Sequence, residues 1–157
     1  DDSTTTLALA ELLSAVTPLT AITNSLPIIS KLVQIKGIRL ISLGGEFSHR
    51  YSAFMGMFCE RAITSLRVNT LFMSTSAVSD NIAFHQEQEA VKIKQAMMSS
   101  ATQRILMIDS SKLHKTALNY LASLDQFDLV IVDSRVDPES LDQLRKAGIK
   151  VEVALLE

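Results

Sequence analysis

Six short apolar runs rich in β-branched residues, at 19–23, 38–43, 70–75, 104–109, 129–133 and 150–154, alternate with five segments of helical character, at 7–16, 26–35, 54–66, 87–101 and 138–147. This alternation is the strongest constraint on the fold. Each run is about strand length, and strands separated by helices of this size predict βα units that build a mainly parallel sheet. Such a sheet buries both of its faces, which requires an apolar chain. The composition agrees: 47% of the 157 residues are hydrophobic and 20% charged. The expected fold is therefore α/β, an open and mainly parallel sheet with helices on both faces, as one domain spanning residues 1–157.

Local signals mark several boundaries. Asp137-Pro138 supplies a helix cap followed by a residue already fixed near helical φ, and Gly148 can end that helix in the left-handed conformation. Gly37 is expected to end the 26–35 helix in the same way. The 54–66 helix carries apolar residues on more than one face, Phe54, Met57 and Phe58 beside Met55, Cys59 and Ile63, which predicts deep burial or a subunit contact. Glu11 is the only charged residue from Ser3 to Ser30, so this region is expected to be well packed.

Charge and cysteine content narrow the function. The net charge of -2 with no basic block gives this chain no footprint for a phosphate backbone, so it is not expected to bind nucleic acid itself. Cys59 is the sole cysteine, which rules out an intrachain disulfide and reads as a small buried residue. No run reaches the length needed to span a bilayer. The expectation is a cytoplasmic protein with no membrane partner.

In open parallel sheets ligands bind beyond the carboxyl ends of the strands, and the polar clusters of this chain fall at those places. Ser3-Thr4-Thr5-Thr6 precedes an apolar helix, where hydroxyls and free N–H groups suit an anion such as phosphate but serve equally as an ordinary cap. Thr23-Asn24-Ser25 and Gly44-Gly45 follow strands; the glycines fit close approach to a ligand or a tight turn. Asp109-Ser110-Ser111-Lys112 places a carboxylate, two hydroxyls and an ammonium at one strand tip, fit either to hold a phosphorylated polyol or to organise the turn. Glu89 lies near a helix start and can face the same edge, whereas Lys92 and Lys94 belong to a helix whose charge reads mostly as a solvated face. His49, His85 and His114 lack zinc spacing, and no nucleophile elbow or phosphate-binding glycine loop occurs. No metal, cofactor or catalytic residue is expected.

Taken in order, Asp2-Ser3-Thr4-Thr5-Thr6, Thr23-Asn24-Ser25, Leu43-Gly44-Gly45, Glu89 with Val91-Lys92, and Asp109-Ser110-Ser111-Lys112 resemble the motif series of the C-terminal effector domain of DeoR-type bacterial transcription repressors. The resemblance implies a fold related to ribose-5-phosphate isomerase and glucosamine-6-phosphate deaminase, used to sense a phosphorylated sugar or related metabolite. It implies ligand contacts at Asp2, Ser3, Thr4, Thr5, Thr6, Asn24, Gly44, Gly45, Ser74, Glu89, Asp109 and Lys112. It also implies a homo-oligomer, and operator DNA bound only through an upstream helix-turn-helix module that is not part of this chain. Two departures stand out: Thr4 occupies a position that is usually glycine, which is expected to weaken phosphate binding, and residues 73–80 replace a stretch usually bearing a glycine and an acid. The alternatives are a sugar-phosphate isomerase or deaminase, with Asp80, Glu89 and Asp109 as its candidate acids, and an oligomerisation domain that no longer binds ligand.

Overall fold

The computed structural model describes residues 1–155. The elements in chain order are α1 (Thr4–Leu12), β1 (Leu19–Thr23), α2 (Leu26–Leu32), β2 (Ile38–Ser42), β3 (Glu46–Ser48), β4 (Ala53–Met55), α3 (Gly56–Thr64) and β5 (Val68–Met73). They continue with β6 (Ala77–Ser79), β7 (Ile82–His85), α4 (Gln88–Ser100), β8 (Ala101–Ile108), β9 (Asn119–Ser123), β10 (Leu129–Asp133), α5 (Pro138–Lys146) and β11 (Val151–Ala154). All six apolar runs form strands of parallel pairings, and their ends agree with the sequence reading to within three residues. The order β11-β10-β8-β5 makes a four-stranded sheet, and β1-β2 a separate parallel pair.

The runs become strands because both of their faces are covered. Val130 and Val132 are fully buried in β10, and Ile105, Leu106, Met107 and Ile108 are buried consecutively in β8, as a strand packed on two sides demands. Successive residues of β1 show the two layers directly. Ala21 packs with Ala10, Ile28 and Leu32 of α1 and α2, whereas Ile22 packs with the larger cluster that contains Cys59 and Ile63 of α3 and Val91 and Met97 of α4. Pro138 follows the Asp137 cap, whose carboxylate accepts from Ser140 N–H at 2.8 Å. The same helix ends as Gly148, at φ +79°, donates to Arg145 and Ile149 donates to Leu144, burying both Leu144 and Ile149.

The structure corrects three readings and adds a sheet that none of them foresaw. Phe54 and Met55 lie in β4 rather than in a helix, where Phe54 pairs across the hairpin with Phe47 at a ring separation of 5.4 Å. Gly37 does not cap α2, which stops at Leu32; its φ of +91° serves a later turn packed against Thr17. The 3–30 region is loosely packed, with Leu12, Val16 and Leu26 exposed. Lastly, an antiparallel sheet of order β6-β7-β9 sits among the parallel units. Asp80 and Asn81 form the two-residue turn between β6 and β7, both at positive φ (50° and 60°), the conformation hairpins of this length favour.

Candidate functional site

The α1 segment opens on a hydroxyl cap. Ser3 Oγ accepts from Thr6 N–H at 3.1 Å, and the Thr6 hydroxyl donates back to the Ser3 carbonyl at 2.9 Å. These bonds engage Ser3 and Thr6 locally and leave the N–H groups of Thr4 and Thr5 without an intrahelical partner. Thr4 takes ordinary helical backbone with its side chain exposed. No glycine conformation is needed there.

Just before this helix lies the most buried ionic cluster of the described residues. Lys94 is 3% exposed; its Nζ donates to an Asp1 carboxylate oxygen, to Asp2 Oδ1 at 3.2 Å and to the Ser74 carbonyl at 3.2 Å. Asp1 also accepts from Ser74 N–H at 2.8 Å, while its carbonyl accepts from the Thr23 hydroxyl at 3.5 Å. Asp1 therefore spans the tips of β1 and β5. Burial opposes the charge of Asp2, but the Lys94 ammonium outweighs it and holds this carboxyl below its ordinary range. Burial and then Lys94 push the Asp1 amino group down to about 5.

Thr23 Oγ1 also accepts from Ser25 N–H at 3.2 Å. Asn24, 1% exposed, clips the β4 backbone, donating to Phe54 O at 3.0 Å and accepting from Phe54 N–H through its own carbonyl at 2.9 Å. Its side-chain oxygen Oδ1 is buried with no partner among the described residues. Such an acceptor ordinarily costs about 1–3 kcal/mol. Next along the edge, Gly45 has φ +149°, and an added Cβ would meet Met55 O at 2.3 Å, so glycine here is dictated by the approach of β4. Gly44 is exposed with open space around its Cα.

A second cluster joins the tips of β8 and β10. Asp109 accepts from Ser111 N–H at 2.9 Å and from Arg135 at 3.2 Å. Asp133 receives Ser110 through its N–H and hydroxyl, and Arg135 through its N–H and guanidinium. Burial works against the Asp133 charge, yet these hydrogen bonds hold its carboxyl down to about 2. Asp109 thus has the partners that organise a turn. Lys112 is half-buried and its ammonium makes no ion pair with the described residues. Glu89 is exposed on the first turn of α4, and no contact joins it to either cluster.

The structure thus brings Asp2, Ser3, Ser74 and Asn24 to the ends of β1 and β5. Asp109 and Lys112 stand at a separate tip on the same edge. Lys94, read from sequence as part of a solvated face, is instead central. Its signal was its phase: Ala90, Val91, Met97 and Met98, three or four positions away on either side, are all buried, so the lysine sits in the apolar stripe of α4. The histidines serve packing and local bonds; His85 Nδ1 accepts from Glu87 N–H at 3.2 Å, and His114 meets Ser140 Oγ at 2.6 Å. Cys59 is wholly buried, which pushes its thiol up to about 11.

A parallel α/β sheet with polar loops gathered at its strand tips defines a small-ligand-binding domain. Residues 1–134 match the family described as the DeoR C terminal sensor domain, and the chain belongs to that family. It is 33% identical over 96% of its length to an uncharacterised HTH-type transcriptional regulator of Bacillus subtilis, covering 58% of that protein. It is 32% identical over 80% of its length to the L-fucose operon activator of Haemophilus influenzae, covering 51%. A lactose phosphotransferase system repressor of Staphylococcus epidermidis is 31% identical over 86% of this chain, which covers 53% of it. The chain thus spans about half the length of these relatives. Among the described residues no helix is long and apolar enough to cross a membrane.

Proposed function

We propose that this domain binds a phosphorylated sugar or a related polyhydroxyl anion at the tips of β1, β5 and β8 without converting it. The occupied state biases operator binding by an upstream helix-turn-helix module of the same cytoplasmic regulator. The observation that carries this reading is Asn24: its side-chain oxygen is buried and unpartnered, on the residue that follows Thr23, whose hydroxyl donates to Asp1, and it is an acceptor suited to a ligand hydroxyl. The N–H groups of Thr4 and Thr5, at the positive end of α1, suit the phosphate, and Lys112 offers it an unpaired ammonium. Gly44, exposed at its tip, leaves room for the ligand, and Glu89 stands at the rim. Met57 and Phe58, exposed on α3, supply an apolar contact for self-association.

A ligand touching loops from several βα units binds one arrangement of them more tightly and shifts their population by that difference. Thermal-shift screening against paired phosphorylated and neutral sugars tests the chemistry: a ligand at 100 times its Kd adds about 2.7 kcal/mol. Phosphorylated members are expected to stabilise and neutral ones not. Equal stabilisation by both, or steady turnover of the ligand, removes the proposal. Lys112→Ala is expected to weaken binding by roughly 10-fold to 150-fold, the range of one charge-assisted hydrogen bond, with little change in unliganded stability.

A further inference from the structure

His85, the last residue of β7, is 6% exposed, and its Nδ1 accepts from Glu87 N–H at 3.2 Å. An accepting Nδ1 carries no proton, so in the neutral ring the proton sits on Nε2. Burial, then the Lys94 ammonium, push this imidazole below its ordinary range and keep it neutral at pH 7. Nε2–H donates to nothing among the described residues. Of those residues only Asn24 offers a sealed side-chain atom without a partner, so the Nε2 edge of the otherwise buried ring is open to solvent.

The backbone carries this edge to the candidate site. Just past the tip of β5, Thr75 donates its hydroxyl to Phe84 O at 2.6 Å, and Ser76 N–H donates to the same carbonyl at 3.2 Å. His85 is the next residue, while the Ser74 carbonyl accepts from Lys94 Nζ at 3.2 Å. Opposite, the 49–52 loop of the β3–β4 hairpin brings in Tyr51, whose ring centre lies 5.7 Å from the imidazole. Arg50 stacks over Tyr51 at 5.6 Å and bonds Glu87 and Gln86, which clamps this loop to the turn after β7. The charges of Asp2 and Lys94 act on both Tyr51 and His85. The same hairpin is clipped to Asn24 through Phe54, and three residues of chain span at most about 11 Å, so Tyr51 stands within that distance of the Asn24 clip.

We infer that Tyr51 and His85 form a subsite for the uncharged, hydroxylated end of the ligand, an inference that rests on the phosphorylated-sugar reading above. The chemistry selects that end. His85 Nε2–H is a neutral donor, and the half-buried Tyr51 offers ring surface and a hydroxyl with no partner among the described residues. Burial raises the Tyr51 hydroxyl above its ordinary range, so it too stays neutral. A neutral donor beside a hydroxyl that both donates and accepts matches neighbouring sugar hydroxyls, and ring surface matches the C–H groups between them. The phosphate is left to the N–H groups of Thr4 and Thr5 and to the Lys112 ammonium.

The two groups are ordered before a ligand arrives. The imidazole is fixed by its burial and by Glu87, Tyr51 is held under Arg50, and Asn119 donates to the His85 and Gln86 carbonyls at 3.3 and 3.0 Å. Little side-chain freedom is lost on binding. A subsite placed away from the phosphate groups also sets a size: hexose phosphates reach it, whereas a triose phosphate and inorganic phosphate do not.

Calorimetric titration of glucose 6-phosphate, fructose 6-phosphate, galactose 6-phosphate, glyceraldehyde 3-phosphate and inorganic phosphate into the protein tests it. His85→Phe keeps a ring and removes the donor, His85→Gln returns an N–H near the Nε2 position, and Tyr51→Phe removes only the hydroxyl. Both His85 variants lose the Nδ1 acceptor, so an effect on the fold strikes them alike. His85→Phe and Tyr51→Phe are each expected to weaken hexose phosphate binding by roughly 2-fold to 12-fold, the range of one neutral hydrogen bond. His85→Gln should stay close to wild type, and the affinities for triose phosphate and inorganic phosphate should not move. Hexose phosphates that bind every variant as tightly as wild type overturn the subsite and leave the phosphorylated-sugar reading standing. A parallel loss of inorganic phosphate also overturns it, since the substitutions then act through the fold. Binding of no sugar phosphate removes the reading and the subsite together. Side-chain nitrogen NMR of the unliganded protein supplies a readout free of any ligand: the Nε2–H form of His85 is expected, and the Nδ1–H form overturns the assignment.

Discussion

Lys94→Met removes the one ammonium in the cluster while keeping an unbranched stem and comparable helix propensity. Its side chain is 4% exposed, and those of Asp1 and Asp2 are 1% and 8% exposed, so water does little to screen the group. At the 3.2 Å separation from Asp2, an effective dielectric near 20 gives a gross attraction of about 5 kcal/mol, much of it offset by desolvating the charges. Losing the lysine strands both carboxylates, and breaking a buried pair in this way costs roughly 3–5 kcal/mol. That is a large share of a typical domain stability of about 5–15 kcal/mol. Urea denaturation at pH 7 reads it as a lower midpoint at unchanged slope, best on N-terminally acetylated chains, where no α-ammonium can replace the lost charge. The pH dependence carries a signature of its own. In the wild type the Asp2 carboxyl is depressed, so its contribution is complete above the unfolded value near 3.8 and is lost as pH falls through the folded one. Without Lys94, on the acetylated chain, burial is opposed only by the backbone hydrogen bond of Asp2, the least of its influences, and raises the carboxyl, so the variant gains stability relative to wild type as pH falls from 7 toward 5. Adding Asp2→Asn should recover part of the loss. A loss below about 1 kcal/mol with the wild-type pH slope would refute the buried-cluster argument.

The Asp1 amino group, lowered from 8.0 to about 5, predicts that chain 1–157 loses stability as pH falls from 8 toward 5, because the unfolded chain takes up the proton first; the effect is at most about 4 kcal/mol and should vanish on acetylation. Gly45→Ala forces a Cβ to within 2.3 Å of Met55 O at φ +149° and should cost at least about 2–3 kcal/mol, a drop of roughly 5–10 °C in Tm, while Gly44→Ala, in open space, should leave Tm within about 2 °C. Equal melting of the two variants in calorimetry would contradict the packing role of Gly45.

The parallel units were legible because their cause is written locally: runs covered on both faces must be apolar, and Asp137-Pro138 and Gly148 mark their helix by backbone chemistry alone. The hairpins were not. β6 and β7 are three and four residues long, too short for periodicity to speak, and their one strong signal is the Asp80-Asn81 pair at positive φ. Phe54 and Met55 were absorbed into the helix that follows because three residues of strand leave no alternation distinguishable from a helical face.

The candidate site was legible in its loops and not in the buried cluster beside them, and the reason is topological. Sheet-edge reasoning finds residues that follow strands, which is how Asn24 and Asp109 came forward, whereas Asp2 came forward only through the resemblance to the DeoR-type motif series. Lys94 lies in the second turn of a helix, reaching Asp1 across 93 residues of sequence, and no local rule connects them. What the sequence did carry was an inconsistency, a lysine in register with Ala90, Val91, Met97 and Met98. A buried lysine needs paired carboxylates, and in the fold Asp1 and Asp2 supply them. Read in that order, from the misplaced charge to its compensation, the buried cluster follows from the same physics as the loops beside it.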